Sequence, residues 1–348
     1  MNTRHAALAL TLASSLLSGC VAAAVPALAA SAIGGKAVFG GDHQPNETIA
    51  PPVAPQAQPA AVTAPRAPTP QPIQPVAMQV PQTMQFLYGS GEAAALSLQA
   101  YEGLIDMMVA RSSDRAVGLQ VFSVVLSPDS TLAAPKFLPC GSKPLAVMLD
   151  IDETSLLNLG YEEQDAAHPG PFDPARWDRW EKTGAKAVVA APGLLQAANA
   201  ARESSVTLIY NSNRLVENAA ETAAALSGAG LGPIAHLKNL WLQGDVAPGP
   251  GKDPRRWAIA QQYCVIAMVG DQLGDFSDLF NAPDMTPQRR RNAVAAKGFR
   301  TLWGHGWFIL PNPVYGTSLK GGFDDVFPAD KRWIDPGPAA QPVPTPAP

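Results

Sequence analysis

A doubly wound, mostly parallel α/β sheet with a small cap insertion is the fold that the sequence predicts. Three observations carry it. Leu145-Ala146-Val147-Met148-Leu149 is an all-apolar run bounded by Lys143-Pro144 and Asp150, as a strand buried on both faces requires. After it, strand-like and helix-like stretches alternate as far as residue 310, the pattern of a Rossmann-like sheet with helices on both faces. Residues 160–190 break that alternation with an aromatic, charged stretch. It follows the carboxyl end of the first strand, where open α/β sheets bind ligands, and reads as a cap over the pocket.

The ends of the chain are of another kind. Most of the 35 prolines lie there, so the folded part is shorter than the 348 residues. The formal charge of -4 offers no basic face for a nucleic acid polymer. Residues 1–20 read as a lipoprotein signal peptide: Arg4 and His5, an apolar stretch too short to span a membrane, then Leu17-Ser18-Gly19-Cys20, which resembles a bacterial lipobox. Cys20 would carry the lipid, making the protein anchored and not spanning. Val21 is not an inner-membrane retention aspartate, which points to the outer membrane of a Gram-negative cell. The alternative is an ordinary secretory signal cut further on. Residues 21–82 are apolar and then Pro/Ala/Gln-rich, a spacer of polyproline character, and residues 331–348 form a Pro-rich disordered tail. One main domain is expected over residues 83–330.

Within it, residues 92–109 place Ala95, Leu98, Leu104, Ile105 and Met108 at helical spacing. Residues 117–126 read as strand-like or mixed, and 127–143 as a loop with three prolines. Beyond the cap the pattern predicts a helix over 192–204, a strand over 206–210 and a helix over 215–227. A short strand within 234–242, a helix over 253–262 and a strand over 264–269 follow, then short strands over 298–302 and 307–310. An exported protein can pair Cys140 with Cys264. Cys264 sits inside an apolar run, however, so a buried free thiol is expected, and the sequence leaves the pairing open.

The chemistry concentrates where the first strand ends. Asp150 and Asp152 are spaced i, i+2, so both carboxylates can face the same way if the chain stays extended. One can serve as an ionised nucleophile and the other as an acid, beside a divalent cation bound by hard oxygen ligands. The bland alternative is a helix cap formed by Asp152 or Thr154. Three later elements favour chemistry. A second strand runs into Asn211-Ser212-Asn213-Arg214, a hydroxyl suited to phosphate oxygens, though Ser212 also suits an N-cap. Lys252 opens a helix, a cation that can balance a phosphoryl group or the aspartates, or simply a solvated lysine. A third strand ends in Gly270-Asp271-Gln272-Leu273-Gly274-Asp275-Phe276.

The order of these four motifs resembles the haloacid dehalogenase superfamily of phosphohydrolases. The approach segment with Ser90, Glu92, Gln99 and Tyr101, the cap residues Phe172, Trp177 and Trp180, and the run Leu310-Pro311-Asn312-Pro313-Val314-Tyr315-Gly316 narrow the resemblance. They look like class C acid phosphatases, bacterial lipoproteins with 5′-nucleotidase activity; the match runs over about residues 84–327. The resemblance implies an acid phosphatase in which Asp150 attacks phosphorus and Asp152 is the acid/base. Mg2+ would be held by Asp150, the Asp152 carbonyl and Asp271. Ser212, Asn213 and Lys252 would hold the phosphate, with Asp275 and Arg214 in support. Tyr161, Phe172, Trp177 and Trp180 are candidates to stack on a nucleobase, or are the cap's own small core. Residues 117–143 are longer than the family pattern, and Thr317-Ser318-Leu319 replaces its tryptophan and acidic residue, which leaves the leaving group open. The expected substrate is a small phosphomonoester, nucleoside 5′-monophosphates first. Sugar or other phosphates are the alternative, as is a non-catalytic surface-binding lipoprotein.

Overall fold

A computed structural model describes residues 79–337. The expected signal peptide, Cys20, the linker up to residue 78 and the last part of the tail lie outside the described residues. The domain begins with α1 (Gln82–Gly89) and α2 (Gly91–Ala116). Ser90 separates them and caps the second, its Oγ accepting the Ala93 N–H at 3.1 Å. Helix α2 continues past residue 109 through polar turns such as the Arg111–Asp114 pair, which an apolar period does not register. Val117 and Gly118 turn the chain, and residues 119–126 join no strand ladder. Val124 donates to Val265 O at 3.0 Å, and Leu126 forms an isolated bridge with Phe137.

Strand β1 (Leu145–Leu149) is buried at every position. The cap comes next, entering and leaving through a two-residue antiparallel ladder of β2 (Leu156–Leu157) and β3 (Val189–Ala190). Between them lie α3 (Leu159–Ala167) and α4 (Pro174–Thr183); Asp173 caps α4 by accepting the Ala175 N–H at 2.9 Å. Then follow α5 (Leu194–Glu203), β4 (Thr207–Leu215), α6 (Ala219–Gly228), β5 (Leu240–Gln243), α7 (Asp253–Gln262) and β6 (Cys264–Gly270). Beyond β6 come α8 (Pro287–Ala295), α9 (Lys297–Arg300) and β7 (Trp307–Ile309).

The main sheet is parallel throughout, in the order β5-β4-β1-β6-β7. Its central strand β1 lies between β4 and β6, so the three motif-bearing strands are neighbours and end on one edge. Alternate side chains of β1 feed two cores. Leu145, Val147 and Leu149 share one with Leu104 of α2, Leu194 of α5 and Leu226 of α6. Ala146 and Met148 share the other with Ile259 of α7 and the aromatic group Phe276, Phe280, Phe299 and Trp307. The predicted doubly wound α/β fold is the one observed.

Three local expectations are corrected. Residues 298–302 are not a strand: Lys297–Arg300 is the helical turn α9, with Phe299 stacked 5.7 Å from Trp307. A short apolar run reads alike in a strand and in a buried helical turn. Strand β4 continues through Arg214 to Leu215, and a 3-10 turn at Val216–Asn218 precedes α6, so the helix starts later than residue 215. Cys264 is not a free thiol but is disulfide-bonded to Cys140. The two are 124 residues apart in sequence, yet Cys264 opens β6 directly beside Leu145, where the loop from Cys140 enters β1.

Candidate active site

Asp150 is the first residue beyond β1, its N–H donating to Val269 O at 3.0 Å across to β6. The loop after it does not stay extended. Ile151 O accepts the N–H groups of Thr154, Ser155 and Leu156, which turns the chain. Ser155 Oγ donates to Asp150 O at 2.5 Å, and Tyr101 of α2 donates to Thr154 O at 2.9 Å. A loop tied at so many points holds its carboxylates in place.

The turn gives the two aspartates separate partners. Asp150 is buried and ion-paired with Lys252 Nζ, which also donates to Asp275 Oδ1 at 2.7 Å. Lys252 reaches them from the residue before α7. Asp152 turns to Arg214 of β4, accepting Nη2 at 2.7 Å and Nε at 3.0 Å on Oδ1. Ser212, from the same strand, donates to Asp152 Oδ2 at 3.4 Å and accepts the Arg214 N–H at 3.1 Å. Asp271 follows β6 directly and accepts Asn312 Nδ2 at 2.7 Å, Thr154 Oγ1 at 3.1 Å and Gln272 Nε2 at 3.2 Å.

Asp150, Asp271 and Asp275 each place a carboxylate oxygen within 4.8 Å of the others. Three buried anions with one ammonium among them leave excess negative charge. Burial first, then the neighbouring Asp275, push Asp271 up to about 7. Burial likewise pushes Asp150 well up against the opposing pull of Lys252. Burial works against the charge on Lys252, but Asp150 and Asp275 outweigh it, and its pKa is raised. An all-oxygen anionic donor set suits a hard divalent cation. The Asp152 carboxylate stands outside this cluster, and Asp275 stands inside it.

The other predicted residues divide. Asn213 is exposed, and its Oδ1 accepts Arg255 Nη2 at 2.7 Å. Tyr161, Trp177 and Trp180 pack on one another, Tyr161 lying 4.8 Å from Trp177 edge-on and 6.0 Å from Trp180. The indole N–H groups are taken, Trp177 by Glu181 at 2.6 Å and Trp180 by Asn158 at 3.2 Å. These three form the small core of the cap. Phe172, 68% exposed, keeps an open face. Tyr161 and Trp180 also border a cap pocket of about 280 Å³ with His168, Arg176 and Arg179, which none of the acidic or phosphate-binding candidates lines.

Sequence reasoning missed Asn158, which donates to Asp152 Oδ1 at 2.9 Å, and Glu153, which is buried and bonded to Tyr315. Glu153 adopts φ 53, a conformation uncommon for a residue with a Cβ. Asn312 had a signal, since it lies in the run from Leu310 to Gly316; nothing marked its contact with Asp271. Asn158 carried no signal at all.

The model of the HAD superfamily, subfamily IIIB (acid phosphatase), matches residues 123–318. The chain belongs to this family of acid phosphatases. Among solved structures it is similar to the class C acid phosphatase from Bacillus anthracis. The two are 25% identical with a TM-score of 0.54, over 68% of this chain and 85% of that one. The same enzyme with tungstate bound aligns at 24% identity and a TM-score of 0.53, with the same coverage of both chains. The haloacid dehalogenase-type fold and the class C resemblance therefore hold, and this acid phosphatase is a phosphomonoesterase. A buried nucleophile candidate, a lysine beside it and a carboxylate cluster able to hold a metal are what phosphoryl transfer needs, because its catalysis is mostly positioning and charge neutralisation.

Proposed function

We propose that this acid phosphatase is an exported, lipid-anchored enzyme that hydrolyses small phosphomonoesters, nucleoside 5′-monophosphates first, with Mg2+ and through an aspartyl-phosphate. The observation that carries the reading is the position of Asp150. It stands at the carboxyl end of the central strand, held by Lys252 and flanked by Asp271 and Asp275. Asp150 attacks phosphorus, while Lys252 and Ser212 hold the phosphoryl oxygens. Asp152 protonates the departing oxygen and then takes a proton from the attacking water. Asp150, Asp271 and the Asp152 carbonyl would hold Mg2+, with Asp275 beside them; the ion supplies positive charge against the repulsion between an anionic nucleophile and an anionic substrate.

Phe172 supports a nucleobase-bearing leaving group, since its ring is open to stacking at the cap. The Cys140–Cys264 disulfide supports export, because such bonds persist in oxidising compartments. Among the described residues no helix is long and apolar enough to cross a membrane. The deciding experiment is a substrate panel run with wild type and Asp150→Asn. The wild type should prefer nucleoside monophosphates to sugar phosphates, lose activity in EDTA and regain it with Mg2+. The folded Asp150→Asn protein should be silent on every ester. Full turnover by that variant would falsify the nucleophile assignment, and a preference for sugar phosphates would overturn the substrate.

A further inference from the structure

Asn158 belongs to none of the motifs that carry the phosphoryl chemistry, yet its side chain is committed at both ends. Nδ2 donates to Asp152 Oδ1 at 2.9 Å and to the Glu153 oxygens at 3.2 and 3.1 Å. Oδ1 accepts Arg214 Nη2 at 3.0 Å and Trp180 Nε1 at 3.2 Å. Exchanging the amide's ends would set its carbonyl against two carboxylates and its NH2 against two donors, so the neighbours fix its orientation. The residue is fully buried.

A continuous line of hydrogen bonds therefore runs from the cap to the acid/base: Trp180 of α4 donates to Asn158, and Asn158 donates to Asp152. Trp180 has little freedom to leave it. Its ring lies against Gly160 and Gly184, where an added Cβ would collide with the indole. The line also distinguishes the two Asp152 oxygens. Oδ1 accepts three donors at 2.7–3.0 Å, from Arg214 twice and Asn158 once. Oδ2 accepts only the longer contacts, Arg214 Nε at 3.3 Å and Ser212 Oγ at 3.4 Å. A proton on Oδ1 would have to displace a donor, so Oδ2 is the oxygen able to carry it.

We infer that Asn158 and Trp180 are positioning residues for the acid/base. Through them the cap saturates Asp152 Oδ1 and leaves Oδ2 to face the departing oxygen. The inference rests on the acid role assigned to Asp152. In that step a bond forms between an Asp150 oxygen and phosphorus as the bond from phosphorus to the ester oxygen breaks. The electron pair of the broken bond stays on the leaving oxygen, which takes the proton from Asp152 Oδ2, and Asp152 becomes a carboxylate.

Esters that differ in their need for that proton test the idea. p-Nitrophenyl phosphate releases a stable phenolate, whereas β-glycerophosphate must release a protonated alcohol. Asp152→Asn should reduce turnover of the alkyl ester far more than that of the aryl ester. Trp180→Phe, which keeps a ring but removes the donor, and Asn158→Leu should shift the alkyl-to-aryl ratio of kcat/KM the same way, by about three- to tenfold. Melting temperatures establish that each variant is folded; if Asn158→Leu is not, Trp180→Phe decides. Equal losses on both esters in the positioning variants, with a selective loss in Asp152→Asn, would overturn the inference and leave the acid assignment standing. Equal losses on both esters in Asp152→Asn would overturn the acid assignment and the inference with it.

Discussion

Two buried glutamates of the cap show how much partners matter at the scale of one residue. Glu181 accepts Trp177 Nε1 at 2.6 Å, Asn218 Nδ2 at 2.8 Å and the Leu215 N–H at 3.2 Å. Glu162, 4% exposed on α3, receives no hydrogen bond on its carboxylate from the described residues. Burial first, then Asp165, push it from 4.5 up to about 7. Folding therefore favours its neutral form. The stability this contributes is complete below about 4.5 and is lost as the pH rises through about 7. Glu162→Gln keeps the shape and cannot ionise. In urea titrations it should unfold less readily than wild type at pH 8, by about 1–3 kcal/mol, with the difference shrinking towards pH 5. A constant difference across that range would show that Glu162 does not titrate as argued. Part of the candidate site was legible at this scale: Asp150 and Asp271 directly follow strands and Lys252 directly precedes a helix, where composition changes, whereas Ser212 lies inside β4, which runs on to Leu215. Asn158 was not, because an asparagine before a helix reads as an ordinary cap, and only its contacts show otherwise.

At the scale of elements, the chain signals strands by apolar runs and helices by period, and it signals pairing poorly. Strand β1 and helix α7 have the predicted limits because each begins and ends where composition changes abruptly, at Pro144, Asp150 and Asp253. Residues 298–302 misled because Phe299 and Leu302 are apolar in a helical turn as in a strand. The disulfide was hidden for another reason: Cys140 and Cys264 meet only because β6 pairs with β1. Closing a loop of 124 residues restricts the unfolded chain strongly. Paired Cys140→Ala and Cys264→Ala substitutions should lower unfolding free energy by about 2–5 kcal/mol without altering the carboxylate site. Reductant should shift the urea midpoint of wild type and leave that of the double variant unmoved. A wild-type midpoint indifferent to reductant would mean that the bond does not contribute to stability.

The molecule as a whole gathers negative charge at one edge of its sheet. Asp150, Asp271 and Asp275 come from the ends of β1 and β6 and the turn beyond, and among the described residues Lys252 alone is ion-paired with two of them. A divalent cation held there would relieve that repulsion, and it would bind only where folding has assembled the carboxylates. Mg2+ should raise the melting temperature, with about 2.7 kcal/mol of added stability at a hundredfold excess over its Kd. Asp271→Asn should lose most of that response and, without metal, melt above wild type. An unchanged magnesium response in that variant would remove Asp271 from the metal site. The sequence alone determined the alternation of strands and helices and the placing of acids at strand ends, because local composition sets each of these, and the order of its motifs, by resemblance to a known family, implied the class of chemistry. Only the tertiary structure decided that the aspartates after β1 part company, one to Lys252 and one to Arg214. It also decided that the cap tryptophans spend their N–H groups on internal partners, and that two distant cysteines join. Each of these depends on which strands lie side by side, a long-range outcome of packing that no local pattern records.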